Sequence, residues 1–279
     1  MPGKILVLGA TGTIGSHLVP DLVARGEAVR AASRTGAAVA GAEGVRFDLT
    51  APETWDAAFE GADRVFVIAP TGTVDPLATL GPVVERAAAR GLKIVLMTAM
   101  GVDASDEIPY RKVELALIRS GARHVIVRPT WFADNFHTFW SAGVKAGVIA
   151  LPAGEGRTAF IDTRDIAASI AGALTTDRFD GRAIDLTGPK SLTYTEAAAI
   201  LSRVAGRTIA YRATTDEAFV AMLTGAGVSP AYAAFLAAIF HPVREGWADR
   251  VTDGVERLSG RPPRSLEAYA ADHAAAFRA

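Results

Sequence analysis

Three glycines near the start of the chain, Gly9, Gly12 and Gly15, stand three apart in the stretch GATGTIG. They follow an apolar run at residues 5–8 and precede an amphipathic segment at 17–25. A strand, a glycine turn and a helix in that order let a pyrophosphate approach backbone where no Cβ intervenes. The N–H groups and dipole of the helix start then favour its charge. Gly9 reads as permitting the tight turn, Gly12 the close approach, and Gly15 close packing of helix on strand. The motif and its flanks together predict a dinucleotide site.

The next strand ends in Ser33 and Arg34, about 20 residues after the turn, where a ribose-reading residue belongs. An acid there would bind the 2′-OH of NAD. Arg34 instead offers a guanidinium to a 2′-phosphate, and Ser33 a hydroxyl, so the expected cofactor is NADP(H). The plain alternative is a solvated strand-end arginine. Asp48 and Leu49 close the third strand. Asp48 suits either the amino group of an adenine or the cap of the following helix, and Leu49 would cover the ring. Loops after strand carboxyl ends line the crevice of such folds, which adds Ala69, Pro70 and Thr71, then Thr98, Ala99 and Met100.

The elements that must position these residues alternate. Apolar runs near 4–8, 28–33, 45–47, 64–69, 93–98, 123–128 and 183–187 read as strands buried on both faces. Helical segments fall near 14–25, 52–59, 76–90, 107–120 and 162–174. This predicts an α/β fold: a doubly wound parallel-sheet Rossmann domain over 1–188, with 136–158 contributing to the substrate cleft. Residues 189–279 read as a smaller, mostly helical C-terminal domain, with helices at 193–205, 214–225, 230–240 and 265–277 and one strand at 207–212.

The 279 residues carry 29 basic and 30 acidic side chains, a net charge of −1, which gives no electrostatic case for nucleic acid or an anionic membrane. No cysteine is present, which excludes disulfides, thiolate catalysis and cysteine-held metals. The five histidines show no metal-ligand spacing. A strand beginning by residue 4 leaves no room for a signal peptide, and no apolar run suits a membrane span, so the cytoplasm is the expected location.

Taken together, GATGTIG, the stretch ELALIRSGARHVIVRPTWFADNF from Glu114 to Phe136, FIDTRDIA, and the tail VERLSGRPPRSLEAYAADHAAAF resemble the NmrA-like branch of the atypical short-chain dehydrogenases/reductases. The resemblance covers almost the whole chain. It implies a Rossmann domain binding NADP(H) and a small domain closing a substrate cleft. Its relatives include quinone, dye and ergot-alkaloid reductases, and cofactor sensors without known catalysis. By resemblance Gly9, Thr11, Gly12, Thr13, Ile14 and Gly15 form the phosphate-binding turn, and Arg34 is the 2′-phosphate residue. Pro129, Thr130, Trp131 and Phe132 border the nicotinamide, with Asn135 following. Asp165 reads as structural, a carboxylate at a helix start.

Ordinary short-chain reductases use a Tyr-x-x-x-Lys pair for proton transfer. In YRKVE, Tyr110 is followed four residues later by Glu114, and Lys112 sits two residues on, about 200° around a helix. By resemblance Tyr110 occupies the position that faces the nicotinamide, which makes it the expected catalytic residue, orienting and polarising the substrate. Trp131, Phe132, Asn135 and Phe136, with Phe160, Tyr232 and Phe235, would form an apolar pocket for a flat conjugated substrate; Phe139 and Trp140 read as core. The expected activity is NADPH-dependent hydride transfer to a quinone, iminium, enone or dye. The alternatives are an NADP(H)-sensing regulatory protein, favoured by the missing lysine, and an isomerase or lyase retaining nicotinamide.

Overall fold

The computed structural model describes residues 3–39 and 41–278. The chain forms two compact units, each built from separated stretches. The first takes the residues up to Pro129, Thr163–Leu186 and Gly254–Arg261; the second takes Thr130–Asp162, Thr187–Asp253 and the residues from Pro262 on.

In chain order the elements begin with β1 (Lys4–Leu8), α1 (Gly15–Ala24), β2 (Val29–Ser33), β3 (Glu43–Arg46), α2 (Trp55–Phe59) and β4 (Ala62–Val67). Next come α3 (Pro76–Ala89), β5 (Lys93–Met97), α4 (Pro109–Arg119) and β6 (His124–Pro129). The second unit opens with α5 (Ser141–Lys145), β7 (Val148–Leu151) and β8 (Arg157–Thr158). The chain returns to the first unit for α6 (Thr163–Thr175) and β9 (Arg182–Leu186). It then adds β10 (Leu192–Thr193), α7 (Tyr194–Ala205), β11 (Ala210–Ala213), α8 (Asp216–Gly225), α9 (Pro230–Ala238) and α10 (His241–Arg244) to the second. Last are α11 (Gly254–Ser259) in the first unit and α12 (Leu266–Asp272) and α13 (Ala274–Arg278) in the second.

The first unit is a seven-stranded, wholly parallel sheet in the order β3-β2-β1-β4-β5-β6-β9. Its inner strands β1 and β5 are short and nearly all apolar because helices cover both faces and leave no solvated side to alternate towards, whereas the edge strands β3 (EGVR) and β9 (RAIDL) carry charged, exposed residues. On one face Leu6, Leu8, Ala32, Val65 and Leu96 pack with Trp55 and Phe59 of the α2 side, Leu80 and Val84 of α3, and Leu117 of α4. On the other, α1 and α6 lie against each other and against the central strands. The strand order reverses between β1 and β4, so the carboxyl ends of β1, β2 and β3 and those of β4, β5 and β6 flank the switch point where such sheets bind ligands.

The seven strands and the helices between them stand where the sequence places them. The division into units is different. In place of one cut after residue 188, the units interleave, because α11 returns to pack on α6 and β9. The second unit also holds two small sheets: β7 pairs in parallel with β11, and β8 antiparallel with β10. The strand expected at 207–212 is β11, shifted to Ala210–Ala213. The helix expected at 265–277 is two, broken at His273. No helix among the described residues is long and apolar enough to cross a membrane.

Candidate active site

In the first unit, β1 ends at Leu8 and the chain turns at Gly9, whose φ of +67° is the left-handed conformation that favours glycine. Gly12 N–H donates to Gly9 O at 2.9 Å, closing the turn, and Ala10 N–H donates to Ala32 O at 3.1 Å, fastening it to β2. A Cβ on Gly15 would lie 2.2 Å from Gly9 O and 2.6 Å from Ala10 Cα. Gly15 thus packs against the turn itself. A Cβ on Gly12 would reach Gly9 O only to 3.3 Å, so the space there is limited mainly by what approaches from outside. Thr11 and Thr13 are exposed, and Ile14 is buried as an anchor. No side chain caps α1 and no acid lies in its first turn. Among the described residues no acid of its first turn or side-chain cap answers its N-terminal dipole, an arrangement that suits a phosphate.

Beyond β2, Arg34 is exposed, and Ser33 Oγ lies 3.5 Å from Thr35 Oγ1. Asp48 does not cap the following helix. Its carboxylate accepts from Thr50 N at 2.9 Å and Thr50 Oγ1 at 2.8 Å, in an Asx turn. Those two bonds, with the nearby charges of Arg34 and Arg46, hold its pKa below the usual aspartate value. Trp55 Nε1 donates to Asp48 O at 2.7 Å and Asp48 N to Thr54 Oγ1 at 3.0 Å, which fixes the loop. Leu49, Thr50, Pro52, Trp55, Ala78 and Thr79 line part of a groove of about 760 Å³. After β4, Ala69 packs on the core, while Pro70 and Thr71 are exposed in a turn closed by Thr73 Oγ1 on Pro70 O at 2.8 Å.

The ends of β5 and β6 stay joined past the strands, with Met100 N donating to Pro129 O at 3.0 Å. Thr98 and Pro129 are buried, and Ala99 and Met100 half-buried. The Thr98 hydroxyl is turned inward: it donates to Glu114 Oε1 at 2.6 Å. Glu114, fully buried on α4, also takes both arms of Arg128, Nε to Oε1 at 2.9 Å and Nη2 to Oε2 at 2.7 Å. Arg111 adds a bond at 2.9 Å, and Arg128 Nη1 reaches Asp103 at 2.5 Å. Burial opposes charge on Arg128. The bonds and charges of Glu114, with Asp103 and Asp185, more than offset it, so the guanidinium holds its proton tightly. Bidentate pairing of this kind fixes geometry as well as charge.

Tyr110, half-buried, is the second residue of α4, one turn before Glu114 on the same face. Lys112 points elsewhere, into an ion pair with Glu107 at 2.8 Å. Among the described residues no group of three or more His, Asp or Glu is placed to hold a metal ion.

In the second unit, half-buried Trp131 stacks on Phe240 with centroids 4.5 Å apart and also meets Trp140. Phe132 bridges to Ile161, Thr130 Oγ1 lies 2.9 Å from Thr158 Oγ1, and Asn135 is half-buried. Two expected substrate contacts are corrected. Phe136 and Phe160 have 0% and 2% exposure and pack on each other at 5.0 Å, so they build the aromatic core and offer a ligand no surface. Phe139, read as core, is 53% exposed. Tyr232 and Phe235 stack together on α9 and, among the described residues, touch none of the other rings.

A family model described as NAD(P)H-binding matches residues 9–177. The chain belongs to this family. Prestalk A differentiation protein A of Dictyostelium discoideum is 33% identical, over 96% of this chain and 91% of that protein. The NAD(P)H azoreductase of Xenophilus azovorans is 33% identical over 99% of both. The NADPH-dependent quinone oxidoreductase of Escherichia coli, solved with NADPH, shares the fold with a TM-score of 0.85, at 22% identity over 97% of this chain and 99% of that one. This member is an NAD(P)H-dependent reductase.

The buried Glu114–Arg128 pair escapes a sequence reading that uses Glu114 only to align Tyr110. Two charges of opposite sign 14 residues apart carry no local signal of contact.

Proposed function

We propose that this reductase uses NADPH and delivers hydride to a conjugated, largely apolar acceptor of the quinone, azo, iminium or enone type. The observation that carries the NADPH preference is Arg34: an exposed cation at the β2 end, with no acid at that position to take a ribose 2′-OH. The residues fit the cofactor. The cradle at Gly12 would be filled by a side chain, and α1 opens towards it without a cap.

When bound, the reduced nicotinamide supplies the hydride. The turn Gly9–Gly15 and the start of α1 hold the pyrophosphate, with Thr11 and Thr13 adding hydroxyls. Leu49 and the upper groove wall cover the adenine, with Asp48 beside it. Ala69, Pro70, Thr71, Ala99, Met100 and Pro129 leave room for the ribose and nicotinamide, while Thr98 acts from behind through Glu114. Tyr110 orients the acceptor by a hydrogen bond, and with no lysine partner at four residues the proton comes from solvent. Within the second unit, Trp131 and Phe132, with Thr130 and Asn135, offer surface suited to a flat acceptor, and Tyr232 and Phe235 a further stacked apolar pair. The acceptor class is supported by half-buried Trp131 and by the azo and quinone acceptors in the names of the relatives. Its test is NADPH oxidation against a panel of quinones, azo dyes and enones. Turnover with these, and none with aliphatic ketones, is the expected result.

A further inference from the structure

The geometry points to a second reader of the ribose 2′-phosphate, Arg46 at the end of β3, acting together with Arg34. This rests on the NADPH reading above and extends it to a residue on a different strand.

Arg46 is the register partner of Ser33 on the neighbouring parallel strand, and Phe47 N donates to Ser33 O at 2.8 Å just beyond them. The two strand ends are thus locked side by side, roughly 5 Å apart. Val45 and Phe47 point into the core shared with α2 and α3. Side chains alternate along a strand, so Arg46 points to the other face, as Ser33 does. That is the face α1 covers, and the turn opening α1 is the phosphate cradle. The β2–β3 connection confirms the crowding there: a Cβ on Gly36 would lie 3.1 Å from Arg46 N. The backbone carrying both arginines is held close on both sides.

Neither guanidinium is spent. Among the described residues, Arg34 and Arg46 make no hydrogen bond or ion pair. Their common charged neighbour is Asp48, whose carboxylate oxygen is occupied by Thr50. By contrast Arg30, three residues before Ser33 on β2 and on the opposite face, is consumed by Glu43 and three backbone carbonyls of the α2 region. The site therefore keeps two like charges together with only one acid between them, an arrangement relieved by a dianion. A phosphate monoester carries close to two negative charges at neutral pH and three acceptor oxygens. One guanidinium fork satisfies two of those oxygens at most, leaving room for a second cation.

The test uses the full chain and two probes, 2′,5′-ADP and 5′-AMP, titrated calorimetrically against wild type, Arg34→Ala, Arg46→Ala and Arg46→Lys. Arg46→Ala is expected to weaken 2′,5′-ADP by roughly 10-fold or more, the size of a lost charge-assisted bond, and to leave 5′-AMP within about twofold. Arg46→Lys should recover part of the loss. Unchanged thermal unfolding of Arg46→Ala confirms that the exposed side chain is not needed for folding. If Arg34→Ala is selective for 2′,5′-ADP while Arg46→Ala affects both probes alike or neither, the role of Arg46 is refuted and the NADPH reading stands. If wild type binds both probes equally, the NADPH reading fails and takes this proposal with it.

Discussion

Replacing Gly15 by alanine adds one carbon to α1, and the structure gives that carbon nowhere to go. It would sit 2.2 Å from Gly9 O and 2.6 Å from Ala10 Cα, both backbone atoms. Gly9 cannot retreat easily, because its carbonyl accepts from Gly12 N at 2.9 Å and the adjoining Ala10 N is bonded to β2. The start of α1 must move off the turn. Overpacking of this kind costs about 1–3 kcal/mol, and at about 2–4 °C per kcal/mol for chains approaching this size Tm should fall by roughly 2–12 °C. The same displacement withdraws the phosphate-binding N–H groups, so NADPH affinity should drop at least about tenfold. Gly12→Val separates the two effects: its Cβ meets only Gly9 O, at 3.3 Å, a tight contact that asks for a shift of a few tenths of an ångström, so Tm should fall less than in Gly15→Ala while binding of either cofactor is lost. Scanning calorimetry and fluorescence titration of both variants read this out. Wild-type Tm and affinity in Gly15→Ala, or normal binding by Gly12→Val, would refute the reasoning that the turn cradles a pyrophosphate.

Tyr110→Phe should lower kcat by roughly 10-fold, below the 10²–10⁴-fold loss of a general acid, and Lys112→Ala should change little; steady-state kinetics decide it, and the reverse pattern would transfer the role to Lys112. Tyr194 is fully buried, its hydroxyl has no hydrogen-bond partner among the described residues, and burial pushes its pKa up well above an ordinary phenol. Tyr194→Phe should therefore be neutral or stabilising by about 1 kcal/mol, raising Tm by roughly 2–4 °C; a clear fall in Tm would show the hydroxyl is satisfied. His137, hydrogen-bonded to Tyr269, has its pKa lowered by burial and by His273, against the opposing charges of Asp134 and Asp162. The unfolded chain then binds this proton more readily than the folded one, so its contribution is complete above about pH 6.5 and is lost as pH falls below that value. Tm measured against pH should show this acid-side slope, and His137→Phe should flatten it.

The first unit is legible because its rules are local. Seven apolar runs, each bounded by glycine or a polar turn, leave few other sheets to build, and strand ends follow once the order is known. The glycine turn is equally local. The second unit is not. β11 reads AYRA and is mostly exposed, so its expected position at 207–212 is only approximate, and β8 and β10 are two residues long, so neither period nor composition marks those two. The fate of individual aromatics depends on distant partners. Trp131 meets Phe240 across more than a hundred residues, and Phe139 faces outward beside exposed Thr138 although Phe136, three residues before it, is fully buried. Asp48 shows the limit at a single residue. Its two sequence readings are adenine contact and helix cap, and only the position of Thr50 excludes the cap.

The central claim is that hydride passes from NADPH to a conjugated acceptor on this chain. Single-turnover reduction of an enone with NADPH deuterated at the transferring C4 position tests it most directly. The account predicts stoichiometric NADPH consumption, a primary isotope effect on its rate, and one deuterium bound to carbon in the product. Tight NADPH binding with no consumption, or product free of deuterium, would contradict it.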